Sequence, residues 1–464
     1  MRWTDIKDSI RDFWKEFRKV KSGLIGLVLL GLFLFVLFFE PILLPFSETN
    51  TRWKDITYWE DNPASAAPEW INLFTSKKRA VSQELEESRL DEKNAGTVRI
   101  IEETFVYDYR YDVAPSDLIF KASGSGNVTV IMSIERPDGR KIDLMRKPME
   151  IQEGKELRIA IDKTSKNDVL NFLKKLNALN GVTTQTLKTT DIIFSKIENS
   201  VPFTPVPLKG EYRILVSMIL QKESDRIDST SMKVAGRVQG ILGTDNSKRD
   251  IWSGVLAGVK WALLIGLLTA VISVSIGVIY GVMSAYLGGW KDSLMQRIFE
   301  IFISVPLLPV LIVMSAVFKP SIWVIILIMS IFYWVGPVKT VRSMGLQIKE
   351  ETYIEASRAL GASNARIIFK HMVPLLIPYA FASMALYVPG AIVVEATLSL
   401  LGLGDPTIVT WGQILQDAHS GGAMLSGMWW WVVPPGLAIA LMGMTFAFVG
   451  FAMDKILNPK LKTR

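Results

Sequence analysis

The chain has 464 residues, 49% of them hydrophobic, with a positive mean hydropathy, a formal net charge of +7 and a pI near 9.2. That much apolar content, in a chain long enough for two or three domains, places a large part of it in a membrane. It has no cysteine, which excludes disulfides and thiolate metal sites. The only imidazoles, His371 and His419, fall on opposite sides of the bilayer in the topology derived below, so no metal centre is expected. The basic charge is distributed along the chain as membrane topology requires and is not gathered on one soluble face, so no nucleic-acid partner is expected.

In chain order, residues 3–20 place Trp3, Ile6, Ile10, Phe13, Phe17 and Val20 on one side of a helix and Lys7, Arg11, Lys15 and Arg18 on others. The stretch reads equally as an amphipathic helix at the cytoplasmic interface (1–22) or as a solvated lead-in. Residues 23–46 form the first membrane span, preceded by basic residues and no small-residue cleavage site, so it is expected to stay uncleaved. Between 47 and 250 charges are dense and no apolar run is long enough to cross a bilayer. Here residues 76–93 read as a charged helix or linker. Short β-branched runs then predict strands over 127–134, 141–145, 156–161, 191–195 and 212–219, with Arg136-Pro137-Asp138-Gly139 as a turn and one helix over 167–179. This is an inserted, strand-rich α+β domain with its own core. Five more spans follow, at 261–287, 301–318, 321–338, 372–394 and 429–451. Pro306 and Pro309 are expected to bend the third span of the six, and Gly336-Pro337 to end or kink the fourth.

Lys and Arg number seven in residues 1–21, six in 339–370 and four in the 454–464 tail, against none in 403–428. The positive-inside rule therefore puts both termini and the 345–374 loop in the cytoplasm, and 47–250 and 403–428 outside. Gly266, Gly277, Gly281 and Ser284 let the second span approach its neighbours closely.

Residues 350–378, EETYIEASRALGASNARIIFKHMVPLLIP, are a charged segment between two apolar ones. Gly361 suits the left-handed close of one short helix and Ser363 the N-cap of the next. Apolar stripes formed by Tyr353, Ile354, Ser357, Leu360 and Gly361, and by Ile367, Ile368 and Met372, have no lipid to enter, so the hairpin reads as a docking surface for a soluble partner. The pattern Glu355-Ala356-Ser357, then Gly361, then His371-x-x-Pro374 resembles the EAA loop of ABC importer permeases, and the run from Arg358 to Ser363 resembles their dipeptide/oligopeptide/nickel branch. Ser357 replaces the usual alanine, and Leu375 an asparagine common in that branch. Residues Gly243-Thr244-Asp245 with Arg249-Asp250, Ser253 and Gly258 are similar to the segment that opens the core of the C-type, second permease subunit. Lys248 stands where that family usually has glycine, and Asp245 and Asn246 also suit a helix cap. The stretch from Glu395 to Gly404, through Gly402, with Trp411-Gly412, is similar to the family's outer signature. Glu395 falls at the outer end of the fifth span, where a capping or interfacial role is favoured over substrate contact.

The resemblance implies an all-α polytopic membrane protein with six transmembrane helices and a type I importer core (251–453). It implies a transport subunit and not an enzyme, working by alternating access on peptides delivered by an external binding protein. Glu355, Ala356, Ser357, Leu360, Gly361, Ala362, Ile367, His371 and Pro374 would couple it to two ATPase subunits, and a B-type permease would complete the pore. ATP and Mg would bind those ATPases. No phosphate loop occurs here, the nearest Gly-Lys pair, Gly154-Lys155, being followed by Glu156. Other readings are an ion-coupled transporter, for which only Glu40, Lys260 and Glu395 offer charge near the membrane, and a membrane-anchored receptor, enzyme or scaffold acting through 47–250. The implied location is the cytoplasmic membrane. The family's loop is usually much shorter than 47–250; that domain is expected to position the receptor or partner permease, or to act as a lid.

Overall fold

The computed structural model describes residues 11, 14–46, 48–95, 98–151, 156–176, 178, 188–197, 206–222 and 224–457. Most of the expected 3–20 helix, and the tail beyond 457, lie outside these. The chain divides into two compact units, Met1–Lys54 with Ser253–Arg464, and Asp55–Trp252.

The first unit is helical. Among the described residues, five helices are long and apolar enough to cross a membrane: α1 (Lys21–Leu43), α4 (Ile251–Leu287), α7 (Ile322–Lys349), α9 (Asn364–Leu400) and α11 (Trp429–Leu457). The third span is bent, as Pro306 leads one to expect. It is a broken pair, α5 (Gly289–Ser304) and α6 (Leu307–Val317), bent by 73°. The break falls at Val305 and Pro306, both extended, because a residue before proline is pushed out of the α region. Pro309 lies in the first turn of α6, where its missing N–H has no intrahelical partner to lose, so it does not bend the chain. Gly336-Pro337 does not end α7 either; regular helix lapses only around Trp334 (φ −62°, ψ −23°), beside the Tyr333 carbonyl that Pro337 cannot serve.

Small residues set the helix spacing. A Cβ on Gly277 would lie 2.4 Å from the Trp334 carbonyl oxygen, and one on Gly281 2.9 Å from that of Val338, so α4 and α7 pack backbone against backbone. Ser284 sits at the same face and bonds Asp292, which also receives Arg342 Nε at 2.9 Å, tying α4, α5 and α7 together.

The second unit is an antiparallel β structure. Its strands are β1 (Gln83–Leu85), β2 (Glu87–Ala95), β3 (Val98–Tyr109), β4 (Asp117–Glu135), β5 (Lys141–Ile151), β6 (Glu156–Arg158), β7 (Gly210–Leu220) and β8 (Arg226–Ala235). Strand β4, of 19 residues, serves two sets of partners: β8 and β6 along residues 117–125, then β7 and β5 along 126–135. Val128, Val130, Met132 and Ile134 alternate into one core with Phe105, Tyr107, Ile214 and Val216.

The stretch 76–93, expected as a charged helix or linker, is irregular up to residue 82 and then enters β1 and β2. Among the described residues strand β2 pairs with β3 alone and carries charge along it, with Lys93 on Glu102 at 2.7 Å. A solvated edge strand shows no apolar alternation to read. The expected strand 191–195 is α3 (Thr189–Ile193), whose last carbonyls are met by buried Arg136: Ile192 O at 3.2 Å, Ile193 O at 3.1 Å and Ser195 O at 2.7 Å. A short buried apolar run reads alike as strand or helix until such a cap is seen. The helix α2 (Lys163–Lys175) starts four residues before its expected 167, because Asp162 accepts from Thr164 N at 2.8 Å and Ser165 N at 3.2 Å.

Candidate functional site

The hairpin at 350–374 begins with α8 (Thr352–Ala359), with Glu355 in its first turn. Its end is a Schellman close: Gly361 takes φ +82°, its N–H reaches Arg358 O at 3.0 Å and the Ala362 N–H reaches Ser357 O at 3.1 Å. Ser363 then caps the next turn, accepting from Arg366 N at 3.3 Å. The expected separate second helix is in fact the start of α9. Residues Ile367–Met372 widen to a π-turn, with Val373 N–H bonding Ile368 O five residues back, and the helix continues to Leu400. Pro374 offers no N–H to the carbonyl four residues before it, and the wider turn absorbs that gap.

The two apolar stripes divide: Tyr353, Leu360 and Gly361 of the first stay exposed, while Ile354 and the whole of the second turn inward. Ile354, Ile367, Ile368 and Met372 are buried against Val278 and Val282 of α4 and Val341 of α7. Ile367 is therefore a core residue that seats the hairpin, not part of its surface. Tyr286 adds a bond from its hydroxyl to Asn364 Oδ1 at 3.2 Å. What remains outward is Glu355, Ala356, Arg358, Gly361 and above all Leu360, 88% exposed; Ser357, Ala362 and His371 are half-buried and Pro374 exposed.

The 242–250 segment is a closed turn in the second unit. Gly243 has φ +73°, Thr244 and Asp250 form an antiparallel bridge, and buried Asp245 receives both Arg249 N at 2.8 Å and Arg249 Nε at 2.5 Å. Asp245 thus closes the turn two residues ahead of α4. Lys248, at the family's glycine position, holds φ +67°, so the turn keeps the left-handed geometry with a lysine in it. The Thr244 hydroxyl donates to Pro63 O at 2.6 Å and accepts from Ala66 N at 3.0 Å, and Ser65 N reaches Asp245 O at 2.7 Å. The turn therefore clips together the two ends of the β unit.

At the other end of α9, Glu395 is buried within the chain: it is 4% exposed and accepts from the Ser399 hydroxyl at 2.7 Å. Gly402, φ +79°, closes α9 in a second Schellman turn, with Leu403 N on Leu398 O at 2.9 Å. The chain then folds back. Gly404 packs on Ser399, and α10 (Trp411–Ser420) lies so close to α9 that a Cβ on Gly412 would sit 2.6 Å from Ala396 Cα. Trp411 donates to Val255 O at 2.8 Å and lies over Gly258. Asp405, which the motif reading missed, accepts from Ile322 N at 3.0 Å and so caps α7 from this loop. An acid before Pro406 is an ordinary turn signal, which gives no hint of a distant helix.

A multi-pass helical bundle with such a hairpin and fold-back loop is the body of a transport permease. Residues 255–463 match the family model described as "Binding-protein-dependent transport system inner membrane component", and residues 9–68 match "N-terminal TM domain of oligopeptide transport permease C". The dipeptide transport system permease protein DppC of Bacillus subtilis (strain 168) is 37% identical over 222 residues, 48% of this chain and 69% of that protein. The oligopeptide transport system permease protein OppC of the same organism is 37% identical over 223 residues, 48% of this chain and 72% of that one. OppC of Haemophilus influenzae is 34% identical over 236 residues, 50% and 75% of the two chains. This chain belongs to the binding-protein-dependent transport permeases, in the C-type branch of the peptide ABC transporters, and is a permease subunit. Residues 69–254 lie outside both matched segments.

Proposed function

We propose that this permease imports di- or oligopeptides by alternating access, driven by two ATPase subunits that bind ATP and Mg on separate chains. In this reading the core is a six-span type I importer permease, the bent α5–α6 pair counting as one span, in the cytoplasmic membrane with both termini inside. A B-type permease completes the pore and an extracytoplasmic binding protein delivers the peptide to the outer side. The Asp55–Trp252 unit lies outside and positions that receptor or the partner permease. The turn around Gly243, Thr244, Asp245, Arg249 and Asp250, and the loop from Glu395 through Gly402 and Gly404 to Trp411, both belong to the outer side.

The observation that carries the coupling role is the hairpin's division of labour. Ile354, Ile367 and Ile368 anchor it to α4, α7 and α9, while Leu360 is 88% exposed at the end of a helix that also exposes Glu355 and Arg358. An exposed leucine on a rigid, Gly361-closed turn is a knob suited to an apolar cleft with charged rims. Movement imposed on it passes through packed side chains directly into three membrane helices.

The test is peptide uptake in proteoliposomes holding the permease pair, ATPases and receptor. Glu355→Lys is expected to insert and assemble with the partner permease yet to lose ATPase association and ATP-driven uptake. Normal uptake by that variant, or uptake by the isolated chain along an ion gradient without nucleotide, overturns the reading.

A further inference from the structure

The β unit contains a cavity of about 740 Å³ that neither matched family segment spans, since almost all its lining falls between residues 69 and 254. That volume lies in the range that holds a small organic ligand. Four cations line it, Lys77, Arg79, Lys188 and Arg237, against two carboxylates, Asp112 and Asp191.

Both carboxylates are already committed. Asp112 takes Lys209 Nζ at 2.7 Å and the Lys78 N–H at 2.8 Å, which hold it below the usual carboxylate range. Asp191 faces Arg237 at 3.6 Å and Lys188 at 4.0 Å. Lys77 and Arg79 have no acidic partner among the described residues. The cavity thus carries two surplus positive charges, one of them a guanidinium fork suited to a planar two-oxygen anion.

Arg79 is held in place for such a task. Asn72 clamps its backbone on both sides, accepting from Arg79 N at 2.9 Å and donating to Arg79 O at 2.9 Å, and the residue bridges to Val113. Buried Tyr109 lines the same cavity. Burial together with the charges of Asp112 and Asp191 pushes its phenol up, so it stays a hydrogen-bond donor. Val113, Ala114 and Pro207 give the remaining wall an apolar surface. An inorganic ion would leave that surface empty; a carbon skeleton with an anionic end would use both halves. At the rim, Ser65 holds φ +54°, kept there by the bond from its N–H to Asp245 O, so the cavity mouth is tied to the family turn at 242–250.

We propose that this cavity binds a small carboxylate-bearing solute, with its carboxylate on Arg79 and Lys77 and its carbon body against Val113, Ala114 and Pro207. The lining belongs wholly to the β unit, so the test does not depend on what the permease transports.

Isothermal titration of the full chain in lipid nanodiscs with tri-alanine, tri-alanine amide, succinate and inorganic phosphate reads it out. Saturable binding of tri-alanine that weakens about tenfold or more in the amide is expected, and Arg79→Ala or Lys77→Gln weakens it comparably. Binding of succinate without tri-alanine identifies a free organic acid as the source of the carboxylate and upholds the site. Equal binding of the amide, binding of phosphate alone, or no saturable binding overturns it. So does binding that survives both Arg79→Ala and Lys77→Gln in protein whose melting is unchanged.

Discussion

Two substitutions of nearly equal size, one within α8 and one at its C-cap, separate the seat of the hairpin from its exposed tip. Ile354 is 2% exposed and packed among Val282, Tyr286 and Ile367, whereas Leu360 is 88% exposed. Ile354→Ala removes three buried carbons and leaves a cavity between α8 and the membrane helices, which costs about 2–4 kcal/mol for a site of this burial. Leu360→Ala uncovers almost nothing, and a surface change of this kind stays within about 0.5 kcal/mol. Functionally the order reverses: Leu360→Ala removes the exposed knob and is expected to lower ATPase affinity about tenfold or more, as truncating an apolar interface anchor does. Thermal unfolding of the purified permease in detergent measures the first pair of numbers. Titration of the ATPase subunit onto nanodisc-embedded permease measures the second. If Leu360→Ala melts as early as Ile354→Ala, the exposure of the tip is wrong. If it leaves ATPase affinity unchanged, the tip is not the contact and the division between anchor and knob fails.

Glycine substitutions separate backbone strain from steric conflict. Gly361→Ala meets no atom within 4 Å but must hold φ +82°, for a cost of about 1 kcal/mol in melting measurements, while Gly258→Ala puts a Cβ 2.5 Å from the Trp411 ring. The latter is expected to cost about 1–3 kcal/mol and to shift tryptophan emission, because Trp411 must give up Val255 O. In the β unit, burial pushes Glu156 up to about 7, with Oε2 left without a hydrogen-bond partner and Arg158 only partly offsetting the cost. Its folded value lies above the unfolded 4.5, so the folded state binds the extra proton, and stability falls as pH rises from about 4.5 to 7. Melting followed from pH 5 to 8 is expected to lose that slope in Glu156→Gln. A wild-type slope equal to that of the variant refutes it.

The membrane core and the hairpin were legible because both follow from short-range rules. Uncharged runs such as 261–287 have to span, and Gly361 followed by Ser363 has to break and restart a helix, whatever surrounds them. The same local logic reached the core strand Val128–Ile134, whose alternation writes its buried face into the residues. It failed at β2, where both faces meet water, and at α3, which is helical because Arg136, more than fifty residues earlier, supplies its missing cap.

The burial of the hairpin's stripes was beyond any local rule. Ile367 and Leu360 are both apolar residues at helical spacing on one loop, and nothing in the pattern says that α4 and α7 come round to cover one and leave the other bare. Glu395 makes the same point: nothing local to a position near a helix end says that residues 401–412 fold back across it and bury it. The sequence determined where this chain enters the membrane, where it turns and which family it joins, because those depend on neighbours along the chain. Which side chains face a partner, and where the surplus cations of the β unit converge on one cavity, were decided only by packing between segments far apart along the chain.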